Sequence, residues 1–335
     1  MNAKLKKILT IVLILLPILL SVVCLALGRY SLTIGETVRA LLSTFTSIET
    51  NNTAYTIVVN LRLPRVILAV TLGAGLACAG AAFQGLFSNP LATPDTLGVT
   101  AGAAVGAIVG IMFDKNLITM QFIALIFGLG TAALTMAVAR IRSRTSIVMI
   151  ILSGVIIAAL CNAVLSIIKY TADPLNKLPT ITYWLMGSMS AVTYKSLALG
   201  LPFVLVGILI IFMLRWRLNI LTLSEDEIRA SGINVPRIRM AIITASTMIT
   251  ASCVSMCGQV GWVGLLVPHC ARMIFGSNNR YVIPASISLG AMFMLMIDTM
   301  ARTLLPSEIP ISILTAIIGA PFFIYLLRKT GGGWK

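Results

Sequence analysis

The sequence predicts an all-α membrane protein with about ten transmembrane helices. Hydrophobic residues make up 58% of its 335 residues and charged residues only 10%, whereas soluble domains carry about 25% charged residues. Apolar runs of about 20 residues, the length that crosses a hydrocarbon core about 30 Å thick, recur along the chain. Most charged residues fall between these runs, so residues 1–335 are predicted to form a single transmembrane domain.

Ten segments are predicted to span the membrane. One of them contains Pro268 and starts among glycines, so it is expected to be a broken helix packed against protein. Before the second span, Thr33 to Glu36 matches a capping box, which predicts a short amphipathic helix on the surface. The spans are residues 8–28, 63–83, 94–113, 117–139, 146–168, 196–214, 239–257, 261–275, 282–301 and 310–327.

The distribution of Lys and Arg predicts the topology. An even number of spans places both termini on one side, and most of the 25 Lys and Arg residues then lie on that side. Cytoplasmic loops carry an excess of Lys and Arg, so both termini are predicted to be cytoplasmic. Arg62, Arg65 and Arg302 lie at outer helix ends against this bias. Asp298 stands four residues before Arg302, a favourable spacing for an ion pair on a helix.

Small residues at every fourth position predict close helix packing in the second and third spans. Residues four apart share a helix face, and a face without large side chains lets two backbones approach. The glycines in these rows are Gly73 and Gly85 in the second span and Gly98, Gly102, Gly106 and Gly110 in the third.

Several function classes lack their usual motifs. There is no phosphate-binding loop of the G-x-x-x-x-G-K-[ST] type, so ATP hydrolysis by that route is excluded for this chain. The net charge of +15 is spread between apolar spans, which argues against nucleic-acid binding. The six cysteines form no C-x-x-C pair, and no metal site or catalytic residue is predicted. An enzyme that pairs His269 with a serine such as Ser188 remains an alternative, as does an ion-driven carrier.

An ordered set of motifs resembles the permease subunits of ABC importers for iron-siderophores, haem and cobalamin, known as type II importers. The resemblance covers essentially the whole chain. The motifs are Arg62-x-Pro64-Arg65, Gln84, Asn89 to Pro94, Tyr183 to Ser188, the loop 219–235, Gly261 to Leu265, Pro268-His269, Arg272, Asp298 with Arg302, Glu308-x-Pro310, and Gly319 to Pro321.

The resemblance implies a cobalamin-importer-like permease fold in a bacterial cytoplasmic membrane. It implies a second permease subunit of the same or a related sequence, two cytoplasmic ATPase subunits that use ATP and magnesium, and an extracytoplasmic solute-binding protein. This chain would contact lipid and bind no cofactor. The expected cargo is a ferric siderophore, with haem or cobalamin as alternatives, and an ATP-independent secondary carrier is the alternative of another class.

The resemblance also implies roles for particular residues. Arg62, Arg65 and Arg302 would receive glutamates of the binding protein, with Asp298 in support. The cytoplasmic loop 215–238 would couple to the ATPase. The sequence departs from the family pattern at Leu223-Ser224 and Ser231-Gly232, where Leu-Gly is usual, and at Ser312, where glycine is usual. The coupling residues would be Glu225, Asp226, Glu227, Arg229, Ser231 and Gly232, and Thr145 and Ser146 would lie near an inner gate.

Overall fold

The computed structural model describes residues 3–46, 50–140, 147–222 and 234–330. Over these ranges the regular structure is entirely helical, which confirms the predicted all-α class. A π-helical turn at Thr56–Arg62 and 3-10 turns at Pro94–Leu97 and Arg217–Thr222 supplement the α-helices. The α-helices are α1 Ala3–Ala26, α2 Ile34–Leu42, α3 Asn52–Tyr55, α4 Leu63–Phe87, α5 Val99–Met112, α6 Leu117–Ala139, α7 Ile147–Thr171, α8 Lys177–Leu185, α9 Tyr194–Leu214, α10 Val235–Cys257, α11 Val263–Phe275, α12 Asn279–Thr303 and α13 Ile311–Thr330.

Each of the ten predicted spans overlaps one apolar helix. Within the described ranges, six helices are long and apolar enough to cross a membrane, and four more are shorter. The number of crossings and the side of the termini remain predictions. The long helices are Asn52–Phe87, Leu117–Ala139, Val148–Thr171, Tyr194–Leu214, Val235–Cys257 and Asn279–Thr303, and the shorter ones are Ile11–Ala26, Val99–Met112, Val263–Phe275 and Ile311–Tyr325.

Two boundaries differ from the prediction for identifiable reasons. The third span begins at Val99 and not at residue 94, because Pro94–Leu97 forms a 3-10 turn and Gly98 follows with a left-handed φ of 75°. The second span is longer than predicted, because α3, the π turn and α4 continue into one another from Asn52 to Phe87. Polar residues such as Asn52 and Asn60 lie within this continuous run, so hydrophobic run length alone places its start too late.

The surface helix α2 has the predicted cap. The Glu36 backbone N–H donates to the Thr33 side chain at 3.2 Å, and the Thr33 backbone N–H donates to the Glu36 carboxylate at 2.8 Å. These bonds satisfy backbone groups that a helix N-terminus leaves free. The bonds from Thr33 also hold the pKa of Glu36 below its usual value.

Helix α4 forms the centre of the bundle. In its most apolar window 89% of the residues are buried, compared with 28% for α7 and α9. Helices α9, α10, α11 and α12 pack around it. At the contact with α12, a Cβ on Gly73 would overlap the Gly290 carbonyl, and a Cβ on Gly290 would overlap that of Gly73. The two backbones therefore touch, as a row of small residues allows.

The glycines of α5 and of the turn before it face other helices. Gly102 and Gly106 pack against Thr131 and Phe127 of α6, and Gly110 lies against Met120. A Cβ added to Gly98 would lie 3.3 Å from the backbone nitrogen of Ala158 in α7. Gly85 approaches the Asn279 side chain of α12. Each glycine named from the sequence thus lies at a close contact between helices.

Two prolines inside helices free carbonyl groups that side chains of neighbouring helices then bond. Proline has no N–H for the carbonyl four residues earlier. Pro17 frees the Leu13 carbonyl, and Ser288 of α12 donates to it. Pro268 frees the Gly264 carbonyl, and Gln84 of α4 donates to it at 3.3 Å. Such compensation by neighbouring helices is what permits proline in a membrane-embedded helix.

Candidate functional site

Three arginines converge at one end of the bundle, which we call the arginine end. Arg62 ends the π turn, Arg65 lies in the first turn of α4, and Arg302 lies in the last turn of α12. They are 7%, 8% and 8% exposed, respectively. All three were predicted as docking residues, and the structure places them together and largely inside this chain.

Arg62 and Arg302 bond the C-terminal end of α1. Arg62 donates to the carbonyls of Leu25 at 2.7 Å and Ala26 at 2.9 Å. Arg302 donates to the carbonyls of Leu27, at 2.6 Å, and Cys24. The last carbonyls of a helix have no partner within the helix and carry its negative dipole end, so two guanidinium groups stabilise this terminus.

Gly28 provides the space for one of these arginines. A Cβ on Gly28 would overlap the Arg62 guanidinium, 2.7 Å from its Cζ. The Arg62 guanidinium also donates to the Tyr30 carbonyl at 2.5 Å. The chain after α1 therefore wraps around Arg62. The guanidinium group fits there because residue 28 has no side chain.

Arg65 forms the closest ion pairs of the site. Its Nε lies 2.6 Å from Oδ1 of Asp298, and its Nη1 lies 2.6 Å from Oε1 of Glu308. The other oxygen of Asp298 lies 3.3 Å from Nε of Arg302. Asp298 is only 1% exposed. The sequence predicted the pairing of Asp298 with Arg302, but the shorter contact is to Arg65 on α4, 233 residues away.

The charges of this cluster do not cancel. The cluster contains three guanidinium groups but only two carboxylates, Asp298 and Glu308, which leaves one excess positive charge. Asp298 sits between two arginines inside the bundle, whereas the Glu308 side chain is 27% exposed. Glu308 is therefore the outermost carboxylate of the cluster, and the Arg65–Glu308 pair is the contact most open to exchange with an external group.

A junction of three loops anchors the chain shortly after Glu308. Gly187 after α8 and Gly258 after α10 both have left-handed φ angles, 72° and 78°, and pack against each other. The Ile311 N–H donates to the Gly187 carbonyl at 3.0 Å, and the Ser312 hydroxyl donates to the Gln259 carbonyl at 2.5 Å. Ser312, which departs from the family pattern, thus adds a bond that glycine cannot make.

Sequence analysis missed Asp95. It borders a small cavity of about 50 Å³ together with Thr93, Thr250 and Trp262. The Thr100 hydroxyl donates to its carboxylate. Asp95 lies at the start of the predicted span 94–113. A single carboxylate directly after Pro94, in an otherwise apolar segment, is the sequence signal that could have identified it. A carboxylate within a membrane domain is a candidate functional group.

Two predicted sites lie outside the described residues. These are the inner-gate pair Thr145 and Ser146 and the coupling residues between Glu225 and Gly232. Both remain predictions. Within the described ranges, no group of three or more His, Cys, Asp or Glu side chains is arranged to hold a metal ion.

Comparison with known proteins identifies the family. The pattern of the FecCD transport family matches residues 13–329, almost the whole chain. The chain belongs to the FecCD transport family. This confirms the resemblance to ABC importer permeases on which the expected site residues depend.

Relatives of this FecCD protein are permeases with different cargo names. The molybdate import system permease protein MolB of Haemophilus influenzae is 39% identical over 321 residues, which cover 95% of each chain. The Fe(3+)-citrate import system permease protein YfmE of Bacillus subtilis is 35% identical over 323 residues, 95% of this chain and 94% of that one. Members with closely similar sequences thus bear the names of different substrates.

A solved structure has the same fold. It is an inward-facing conformation of a metal-chelate type ABC transporter, with a TM-score of 0.87 and 37% identity over 96% of this chain and 99% of that one. The FecCD protein therefore has the fold of an ABC importer permease. Its family and its long apolar helices make it a multi-pass protein of the inner membrane.

Proposed function

We propose that this permease moves a ferric siderophore across the cytoplasmic membrane. It receives the complex from an external solute-binding protein and pairs with a second permease subunit. Two ATPase subunits drive the cycle with ATP and magnesium. Membership of the FecCD family over residues 13–329 is the observation that carries this proposal. The iron cargo is supported by the likeness to a ferric-citrate permease and to a metal-chelate type transporter.

Molybdate is the second candidate cargo. It is favoured by the 39% identity to MolB over 95% of both chains. Haem and cobalamin remain alternatives within the same importer class. All these cargoes need the same permease architecture, so only a transport measurement separates them.

The arginine end is the proposed docking surface for the binding protein. A glutamate of the binding protein competes with Glu308 for Arg65, because this ion pair is the outermost contact of the cluster. Arginine and carboxylate form paired hydrogen bonds of defined geometry, so the exchange would align the two proteins. Arg62 and Arg302 contribute the excess positive charge while they hold the end of α1.

Transmission from the ATPase is proposed to run through residues 225–232, the middle of the cytoplasmic loop 215–238. The acidic run Glu225, Asp226 and Glu227, followed by Arg229, Ser231 and Gly232, would contact the ATPase. Thr145 and Ser146 would close the inner end of the path. These roles rest on the resemblance of the sequence to the family.

The test is uptake of labelled cargo by cells with and without the gene. Labelled ferric siderophore, molybdate, haem and cobalamin are measured side by side, each after starvation for that nutrient. We expect deletion to abolish ferric-siderophore uptake and a plasmid copy to restore it. Loss of molybdate uptake alone would identify molybdate, and not a ferric siderophore, as the cargo. Unchanged uptake of all four would contradict the proposal.

A further inference from the structure

The outward face of α9 carries an apolar stripe that no described helix covers. Leu205, Leu209, Phe212, Met213 and Trp216 are all exposed. Their spacing of three and four residues places them on one side of the helix. We call these five residues the α9 stripe. Trp216 lies just beyond the end of the helix, where an amphipathic aromatic ring marks a membrane–water interface.

Two arginines stand over the end of the α9 stripe. The Arg215 guanidinium carbon lies 3.8 Å from the centre of the Phe212 ring, and that of Arg217 lies 5.7 Å from the Trp216 ring. Arg215 also donates to the Phe212 carbonyl at 2.5 Å. The negative face of an aromatic ring attracts a cation, so these contacts keep both guanidinium groups beside the apolar surface.

The neighbouring helix brings two more arginines to the same end. Gly207 of α9 packs against Ile249 and Ala245 of α10, while Gly200 packs against Met256. The two helices are therefore antiparallel neighbours, and the end of α9 lies level with the start of α10. Arg237 and Arg239 lie in this start.

These arginines have few partners within the protein. None of the four forms an ion pair with a described carboxylate. Nε of Arg239 is buried and makes no hydrogen bond to any described group. Arg215 and Arg217 thus lie at the end of the apolar stripe, and Arg237 and Arg239 lie at the same level on the neighbouring helix, without an ion pair to a described carboxylate.

We propose that this surface binds one anionic phospholipid. Its phosphate lies among Arg215, Arg217, Arg237 and Arg239, and an acyl chain lies along the α9 stripe. Guanidinium groups match phosphate oxygens in geometry and charge. Basic residues where helices leave the membrane attract anionic lipid. A second copy of the chain that packed here through the same face would bring the same positive charges and be repelled.

The test uses the full chain in lipid nanodiscs with brominated phospholipids, which quench tryptophan at close range. The signal of Trp216 is the fluorescence of the parent protein minus that of W216F. We expect brominated phosphatidylglycerol to quench Trp216 more than brominated phosphatidylcholine does. The preference should fall by about fivefold or more in R215Q/R217Q, since each interfacial arginine contributes on that order.

Two matched variants serve as controls. K115Q/K195Q removes two positive charges from exposed positions, one of them at the opposite end of α9, and should keep the full preference. R215K/R217K keeps the charge and should retain most of it, which separates charge loss from misfolding. Equal quenching by both lipids in the parent, or an unchanged preference in R215Q/R217Q, would overturn the proposal.

Discussion

At the scale of single residues, the arginines proposed for docking also hold the protein together. Arg62 and Arg302 bond the end of α1, and Arg65 joins α4 to Asp298 of α12 and to Glu308. Replacing an arginine with glutamate would remove these bonds as well as any contact with a partner. A docking test therefore needs a substitution at the exposed edge of the cluster.

Glu308→Gln is that substitution. It removes the carboxylate that competes for Arg65 and leaves the inner pair with Asp298 intact. We expect E308Q to bind the solute-binding protein several-fold more tightly than the parent, because the excess positive charge of the cluster rises by one. Surface plasmon resonance on the permease in nanodiscs measures this affinity. Weaker or unchanged binding of the solute-binding protein to E308Q would show that Arg65 is not part of the docking surface.

Asp298→Asn is expected to lower stability. It leaves Arg65 and Arg302 buried with only part of their charge compensated, and loss of one partner from a buried ion pair costs about 3–5 kcal/mol. Thermal unfolding in detergent, followed beside E308Q, should give a clearly lower Tm for D298N only. Equal Tm values for D298N and the parent would show that the buried pair does not stabilise the fold.

At the scale of elements, the central helix contacts two neighbouring helices through its backbone. Gly73 and Gly290 face each other across α4 and α12, and Gly80 faces Gly264 of the broken helix α11. Gln84 lies one turn after Gly80 and bonds the carbonyl that Pro268 frees. Small residues and a polar side chain thus act together where lipid offers no hydrophobic drive.

Gly290→Ala tests this packing. The added methyl group would overlap the Gly73 carbonyl and lie 2.6 Å from the Ala77 Cβ, so α4 and α12 must separate. We expect a loss of about 1–3 kcal/mol, the usual cost of overpacking. Gly130→Ala is the control, because a Cβ there meets nothing within 4 Å, and it should stabilise α6 by about 0.4–1 kcal/mol. A G290A protein as stable as G130A would contradict the backbone contact.

The sequence predicts the position of every apolar helix but not the contacts between them. Hydrophobic run length placed the helix ends to within about five residues, except for the start of the second span, and the Thr33–Glu36 cap was correct. The pairing of Arg65 with Asp298 depends on which helices become neighbours, and nothing local encodes it. The early start of the second span was missed because polar residues such as Asn52 and Asn60 lie within a continuous helix.

At the scale of the whole molecule, burial is uneven. The most apolar window of α4 is 89% buried, whereas those of α7 and α9 are 28% buried. Exposed apolar helix faces in this fold must meet lipid or another membrane subunit. This is compatible with the proposed pair of permeases, and the charged end of α9 favours lipid on that side.

The most direct measurement of the proposed function is import into right-side-out membrane vesicles from cells that express the complete system. Labelled ferric siderophore and purified binding protein are supplied outside, and ATP is trapped inside. Uptake should require ATP, the binding protein and this chain, and ionophores that collapse proton and sodium gradients should leave it unchanged. Uptake that continues without ATP and stops with the ionophores would identify a secondary carrier and contradict the account.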